Sequence, residues 1–318
     1  MHPLIRLVAR RIALGILLLL AASVLIFAGT EVLPGDVASA ILGQGATEKT
    51  LANLREALGL DRPAVVRYFE WLGGVLQGDL GTSLTNRRDI ATTLAGRMSN
   101  TLFLAFWAAV IAVPLAILLG LVAVRYQGRW PDKLISGTTL ASISVPEFLL
   151  GYIAAFFLAG QFKLLPSVAT MHGGMDLGDK LMAIALPVLV LVLTVLGHMM
   201  RMTRAAILNV MQSAYIETAE LKGLSPFAVI ARHALPNAIA PVVNVVMINL
   251  AYLVVGVVVV EVVFVYPGMG QYLVDHVAKR DVPVVQACGL IFAAVYIGLN
   301  LLADLISIIA NPRLRHPK

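Results

Sequence analysis

Three carboxylates lie inside or at the edges of long apolar runs, and they are the side chains best placed to do chemistry in this chain. Glu147, Glu261 and Asp304 interrupt stretches built mostly from Ala, Val, Leu, Ile and Phe. A charge in hydrocarbon is costly, so such a residue usually faces a bundle interior or water. A pore-facing or gating role is open to Glu261, and Glu147 could pair with a free amino group. A structural hydrogen-bond role is the alternative for Glu261, and Asp304 is expected to reach the membrane surface or a partner subunit.

No signature of an enzyme accompanies these carboxylates. The patterns GxxxxGK[ST], GxSxG and HExxH are absent, and the dipeptide Gly-Lys does not occur. The six histidines are scattered without the spacing of metal ligands. Cys288 is the only cysteine, so no intrachain disulfide can form, and we expect it to be a small buried side chain. We therefore predict no catalytic residue, no metal and no cofactor in this chain.

Six apolar runs must position the carboxylates. The chain has 318 residues, of which 59% are hydrophobic and 13% are charged, whereas about a quarter of the residues of a soluble protein are charged. Apolar runs of about 18 or more residues are typical of membrane-spanning helices. We predict an all-α polytopic membrane protein with six transmembrane helices. They cover residues 12–28, 101–124, 134–160, 181–197, 238–265 and 282–310.

The basic residues are distributed unevenly between the loops. If both chain ends are cytoplasmic, the inner segments 1–11, 125–133, 198–237 and 311–318 hold thirteen basic and three acidic residues. The two short outer loops hold four of each, and the outer segment 29–99 holds seven basic and eight acidic residues. Cytoplasmic loops carry the excess of Lys and Arg, so we predict that both ends are cytoplasmic. The formal charge of +6 then reflects topology and anionic lipid rather than nucleic acid.

The chain divides into a first helix at 1–28, an outer helical segment at 29–99, a five-helix domain at 100–310 and a tail at 311–318. The first helix could instead be a cleaved signal peptide, although no small-residue cleavage site follows it closely. Within the outer segment, apolar spacing predicts one helix over 50–59 and a second that begins near Pro63, followed by a turn at 78–83.

A polar stretch at 215–236 lies between two apolar runs, inside the predicted cytoplasmic loop 203–237. Gly223 suits the position after a helix end, where a positive φ costs little. Ser225 suits an N-cap, and Pro226 suits the first helical turn, where its missing N–H is no loss. We therefore predict a short helix, a stop at Gly223 and a second helix that begins at Ser225-Pro226. An ordinary amphipathic linker is the alternative.

This stretch resembles the cytoplasmic EAA loop of the membrane subunits of ATP-binding-cassette (ABC) importers. The family pattern is Glu-Ala-Ala, three residues, Gly, nine residues and Ile-x-Leu-Pro. Here it reads Glu217-Thr218-Ala219, three residues, Gly223, nine residues and His233-Ala234-Leu235-Pro236. Thr218 and His233 depart from the pattern, and the His variant is similar to dipeptide, oligopeptide and nickel permeases. The resemblance implies that these residues couple the chain to an ATPase: Glu217, Thr218, Ala219, Lys222, Gly223, Leu224, Ser225 and Pro226.

Further stretches extend the resemblance. Residues 261–270 match the family signature E-x-V-F-x-[YW]-P-G-[LM]-G, and residues 144–148 match S-[IV]-P-x-F. Residues 33–36, 58–63 and 78–83 resemble the outer segment of peptide-type permeases. On this basis we predict four pore or gate residues: Glu261, Glu147, Phe264 and Pro146.

The resemblance covers about residues 5–313. It implies a permease subunit of an ABC importer of di- or oligopeptides in a bacterial inner membrane. The implied partners are a homologous second permease, two ABC ATPase subunits that bind ATP and Mg, and an extracytoplasmic substrate-binding protein. Family members also handle nickel complexes and glutathione. A self-sufficient channel or ion-coupled carrier is one alternative, and a scaffold subunit that lines no pore is another.

Overall fold

The computed structural model describes residues 3–32, 38–39, 46–57 and 59–310. Regular structure in these residues is helical, apart from one antiparallel bridge between Thr82 and Asp89. The predicted tail at 311–318 and the family stretch at 33–36 lie outside the described residues.

Within the described residues, five helices are long and apolar enough to cross a membrane. They are α1 (Pro3–Val32), α4 (Ile90–Arg125), α7 (Leu177–Met211), α9 (Pro226–Val263) and α11 (Val282–Ala310). Each coincides with a predicted span, but α4, α7 and α9 extend well beyond the apolar runs, because polar residues continue the helix past the hydrocarbon-length stretch. About three turns of α4 precede Thr101, inside the segment assigned to 29–99.

The remaining predicted span, at 134–160, is broken. Helix α5 (Trp130–Ser144) and helix α6 (Glu147–Gln161) are bent by 102° relative to each other. Pro146 has no N–H and disfavours a helical conformation at the preceding residue, and Val145 is extended, with φ −95° and ψ 128°. The span predicted at 134–160 therefore consists of two helices that meet at Pro146. The chain has six spans if this bent pair counts as one.

Four shorter helices are bounded within the described residues. They are α2 (Glu48–Ala57), α3 (Ala64–Leu76), α8 (Ala214–Leu221) and α10 (Met269–Ala278). Helices α2 and α3 lie where apolar spacing predicts them, and the turn at 78–83 is confirmed, since Gly78 and Gly81 have φ of 84° and 79°.

The centre of the molecule is a bundle in which α7 packs against α4, α5 and α9, while α9 also packs against α11. Small residues permit the closest approaches between helices. A Cβ on Gly197 of α7 would lie 2.7 Å from the carbonyl oxygen of Thr139 in α5. Helix α1 packs on α11 and is otherwise largely exposed.

The helices alternate in direction, so their ends form two faces. At one face, Arg11 of α1 pairs with Asp304 of α11, and the loop after α7 packs beneath α9. We call this face the basic end, because the loops here carry the excess of Lys and Arg. At the other face, which we call the far end, residues 83–85 contact Asp281 and α3 contacts α1.

Candidate coupling segment and buried carboxylates

A short helix and a sharp turn follow α7 at the basic end. Helix α8 ends at Leu221, and Gly223 has φ +78°, which ends the helix as the sequence predicts. The Ser225 hydroxyl accepts a hydrogen bond of 3.3 Å from the N–H of Ala228, and Pro226 occupies the first turn of the next helix. The predicted order of helix, glycine stop and serine cap is therefore confirmed. We call residues 214–227 the coupling segment.

The outer surface of the coupling segment carries exposed apolar side chains. Leu221 is 83% exposed and Phe227 is 73% exposed, with Tyr215 and Leu224 exposed beside them. The other exposed residues predicted to couple are Glu217, Thr218, Lys222, Gly223, Ser225 and Pro226. The spacing in the sequence did not single out Leu221, Phe227 or Tyr215, although apolar residues in a cytoplasmic loop are the signal that would have found them.

Ala219 lies on the opposite side of α8 from this surface. It is 5% exposed and packs with Ile216 against Ile207 of α7 and against Val229 and Ile230 of α9. A short side chain at 219 therefore lets α8 approach the bundle, and it does not shape the exposed surface as its place in the motif suggested.

The coupling segment runs directly into a membrane-length helix. Helix α9 begins at Pro226, passes through a π-helical turn at Val229–Ala234 and continues to Val263. The sequence predicted the span to begin at 238, because His233, Pro236 and Asn237 interrupt the apolar run. Since π-helical turns are inserted within otherwise continuous helices, the helix that begins at Pro226, after the Gly223 turn, is continuous with the span.

An ion pair fixes α5 to α7 near the coupling segment. The guanidinium of Arg204 donates to both carboxylate oxygens of Asp132, at 3.0 and 2.9 Å. Asp132 also accepts from the N–H of Gly128 at 2.9 Å. A bidentate pair of this kind fixes orientation as well as distance, so it holds the first turn of α5 against the last turns of α7.

Glu261 lies at the far end, fully buried near the end of α9. Its Oε1 accepts a hydrogen bond of 2.6 Å from the Thr101 hydroxyl, and its Oε2 accepts from the N–H groups of Gly270 and Gln271 at 2.7 and 3.1 Å. The first N–H groups of a helix have no partner within the helix, and a carboxylate there is favourable. Glu261 thus caps α10, which is the geometry expected if Glu261 has a structural hydrogen-bond role. A gating role for Glu261 stays a prediction.

Two glycines of the signature make room for this carboxylate. A Cβ on Gly268 would lie 2.0 Å from Glu261 Oε1, and one on Gly270 would lie 2.7 Å from Cα of Val258. Between Glu261 and Gly268, Phe264 is 1% exposed and packs in the main core, so it faces protein in this conformation. A pore or gate role for Phe264 likewise stays a prediction.

Asp281 is a further buried carboxylate at the far end that sequence reasoning did not single out. Burial alone would raise the pKa of Asp281, but four hydrogen bonds lower it below its usual 3.8. The donors are the Ser83 hydroxyl (2.5 Å), the Leu84 N–H (3.0 Å), the Thr85 hydroxyl (2.8 Å) and the Thr85 N–H (3.2 Å). Ser83 belongs to the 78–83 stretch, so this contact fastens the outer segment to the start of α11.

Pro146 and Glu147 lie at the bend between α5 and α6. Pro146 is the cause of the break, and Glu147 opens α6. The Glu147 side chain lies beside Gly256 of α9, where a Cβ would be 3.5 Å from Oε2. The structure therefore brings Glu147 and Glu261 to the same helix but in different environments, because only Glu261 is surrounded by donors.

These features define a helical membrane protein with a structured segment at its basic end. A family model described as "Binding-protein-dependent transport system inner membrane component" matches residues 112–316, and the corresponding N-terminal model matches residues 4–105. The chain belongs to this family of transport-system membrane components.

Relatives match almost the whole chain. A protein of Sinorhizobium fredii, described as a probable peptide ABC transporter permease, is 33% identical over 97% of this chain and 99% of its own length. The glutathione transport system permease GsiC of Salmonella typhimurium is 36% identical over 94% of this chain and 95% of its own length. A solved inward-facing structure of the MetNI methionine ABC transporter has 18% identity and a TM-score of 0.48, covering 68% of this chain and 94% of that one.

Proposed function

We propose that this chain forms one half of the membrane pathway of an ATP-driven importer, and that its cargo is peptides delivered by a separate binding protein. Family membership supports the transport role, and the relatives described as peptide and glutathione permeases support a peptide-like cargo. Nickel complexes and other small solutes are the alternative cargo for the same mechanism. The observation that carries the proposal is the exposed coupling segment, whose last residues, Pro226 and Phe227, begin the membrane-length helix α9.

The basic end faces the cytoplasm of a bacterial cell in this proposal, so the far end faces outward. The loops at the basic end carry the excess of Lys and Arg, as cytoplasmic loops do. The outer segment 29–99 and α10 then lie where a binding protein delivers its ligand. The membrane domain 100–310 supplies the pathway together with a homologous second permease.

Force enters at the coupling segment. Two ATPase subunits bind ATP and Mg, and this chain binds neither. Leu221 and Phe227 are exposed apolar side chains on a rigid turn, which suits a groove on a partner protein. When the ATPases close, the segment moves, and α9 moves with it because Pro226 and Phe227 form the first turn of that helix. The bundles then change between inward-open and outward-open states whose relative stability the nucleotide sets.

Reconstitution tests the proposal. The chain is placed in liposomes alone, and also together with the second permease, both ATPases and the binding protein. Uptake of a radiolabelled peptide mixture and ATP hydrolysis are then measured. We expect ATP-dependent uptake in the complete transporter and neither activity in the chain alone. Solute flux through the chain alone would instead establish a self-sufficient carrier or channel.

A further inference from the structure

The carboxylate of Glu147 lacks the partners that Glu261 and Asp281 have. Its Oε1 is buried and accepts no hydrogen bond from the residues that the structure describes. Buried polar oxygens are nearly always paired, so an unpaired one calls for an explanation. A carboxylate within a membrane-spanning region marks a functional site by default.

The neighbouring helix supplies space but no donor. Gly256 of α9 faces the carboxylate, and a Cβ there would lie 3.5 and 3.7 Å from its two oxygens. Because Gly256 is in the interior of α9, the backbone N–H groups around it are engaged within the helix. The carboxylate therefore rests against bare helix backbone with capacity to accept a hydrogen bond from a group that is not part of this chain.

Exposed aromatic side chains lie on the two helices that carry Glu147 and Gly256. Phe148 and Tyr152 lie one turn apart on α6, and both are exposed. Tyr252 lies one turn from Gly256 on α9 and is 57% exposed, with Val255 exposed next to Gly256. A carboxylate with aromatic faces nearby is the chemistry that binds an organic ammonium group, through a charged hydrogen bond and cation–π attraction.

Lipid is a poor neighbour for the Glu147 carboxylate, since hydrocarbon would leave it without a hydrogen-bond donor. Gly256 is seven residues from the end of α9 at Val263, or about 10 Å along the helix axis. Glu147 is thus near the far end, where cargo enters in the proposed function.

We propose that Glu147, with Tyr152 and Tyr252, forms a site for the free amino group of the cargo in the outer half of the pathway. This inference rests on the proposed function. A Lys or Arg of the second permease could also donate a hydrogen bond to this carboxylate. The test separates the amino group of the cargo from such a side chain.

A thiol placed beside the site reports its charge and its access to water. Val255→Cys is made in a Cys288→Ala background, and the complete transporter is reconstituted. Labelling rates are measured with a cationic reagent, trimethylammonium-ethyl methanethiosulfonate, and with the anionic sulfonatoethyl reagent. We expect both to react, and we expect Glu147→Gln to lower the ratio of cationic to anionic rates by about fivefold or more. Glu147→Asp should retain most of the ratio.

Ile248→Cys is the matched control. Ile248 is exposed on the same helix but lies about 12 Å from Gly256 along the helix axis. Salt screens charges over that distance, so Glu147→Gln should not change the ratio of labelling rates at Ile248→Cys. An equimolar mixture of dipeptides should slow labelling at Val255→Cys, whereas the same mixture with acetylated amino groups should not.

Three results would overturn the inference. They are a thiol unreactive to both reagents, as expected if the second permease covers Glu147; a ratio that Glu147→Gln leaves unchanged; and equal protection by free and acetylated dipeptides. Uptake is measured on the same vesicles, so a complex that transports nothing refutes the proposed function separately from the ammonium site.

Discussion

The hydroxyl of Thr101 donates a hydrogen bond of 2.6 Å to Glu261 and accepts one of 2.8 Å from the N–H of Met269. One side chain of α4 therefore joins the end of α9 to the start of α10. Asn100 extends the junction, because its side chain donates to the carbonyl of Pro267 and its carbonyl accepts from the Tyr266 hydroxyl. The far end of the bundle is thus held by buried polar contacts as well as by apolar packing.

Replacing Thr101 with Val keeps the shape of the side chain but removes both hydrogen bonds. A buried group left without a partner costs about 1–3 kcal/mol, so we expect the purified protein to unfold at a lower temperature than the wild type. Thr101→Ser keeps the hydroxyl and is the control. Equal unfolding temperatures for the Val and Ser variants would show that the junction contributes little.

The glycine at 268 is required by the Glu261 carboxylate. Gly268→Ala would place a Cβ 2.0 Å from Oε1, so the carboxylate must leave the start of α10. We expect a loss of about 3 kcal/mol or more of stability, at the upper end of overpacking costs. Gly137→Ala is the control, because a Cβ on Gly137 in α5 would meet no atom within 4 Å, and Ala favours a helix. Thermal unfolding that ranks the two variants equally would contradict this account.

Asp281 makes the attachment of the outer segment depend on pH. Its pKa is lowered in the folded protein, so the ionised carboxylate contributes stability above its unfolded pKa of about 3.9. That contribution is lost as the pH falls through the lower folded value. We expect Asp281→Asn to destabilise the protein near neutral pH and the difference from the wild type to shrink in strong acid.

Denaturant unfolding at a series of pH values checks this dependence. The neighbouring Asp275 serves as the control, because its side chain is exposed and Asp275→Asn should change stability little at any pH. A penalty for Asp281→Asn that stays constant down to the most acidic pH would contradict the linkage.

The sequence predicted local structure, such as helix ends and turns, better than contacts between residues far apart in the chain. Gly223 and Ser225 have intrinsic preferences that act within one turn, and both occupy the predicted positions. The apolar run at 134–160 predicted the length of a span but not the 102° change of direction at Pro146, because apolar composition carries no information on direction. The partners of Asp281 lie almost 200 residues away in the chain, so no local pattern could reveal them. Packing also decides which carboxylate has hydrogen-bond donors. Glu261 lies against Gly268 and Glu147 lies against Gly256.

The exposed apolar side chains of the coupling segment should hold the ATPase. We expect Leu221→Asp combined with Phe227→Asp to weaken co-purification of the ATPase subunits by about tenfold or more, the scale of an interface hot spot. Glu220→Gln, an exposed change on the same helix, is the control and should co-purify normally. Retention of the ATPase by the double variant would place its contact elsewhere.

Coupling through residues 214–227 is tested by measuring ATP-driven uptake by the complete transporter carrying Gly223→Pro. Gly223 has φ +78° and donates its N–H to the carbonyl of Glu220, and proline permits neither. Gly128→Pro is the matched control, because Gly128 has φ +74° and donates its N–H to Asp132 but lies outside the coupling segment. We expect Gly223→Pro to insert into the membrane yet lose uptake, while Gly128→Pro retains most of the wild-type uptake. Normal uptake by Gly223→Pro would contradict it.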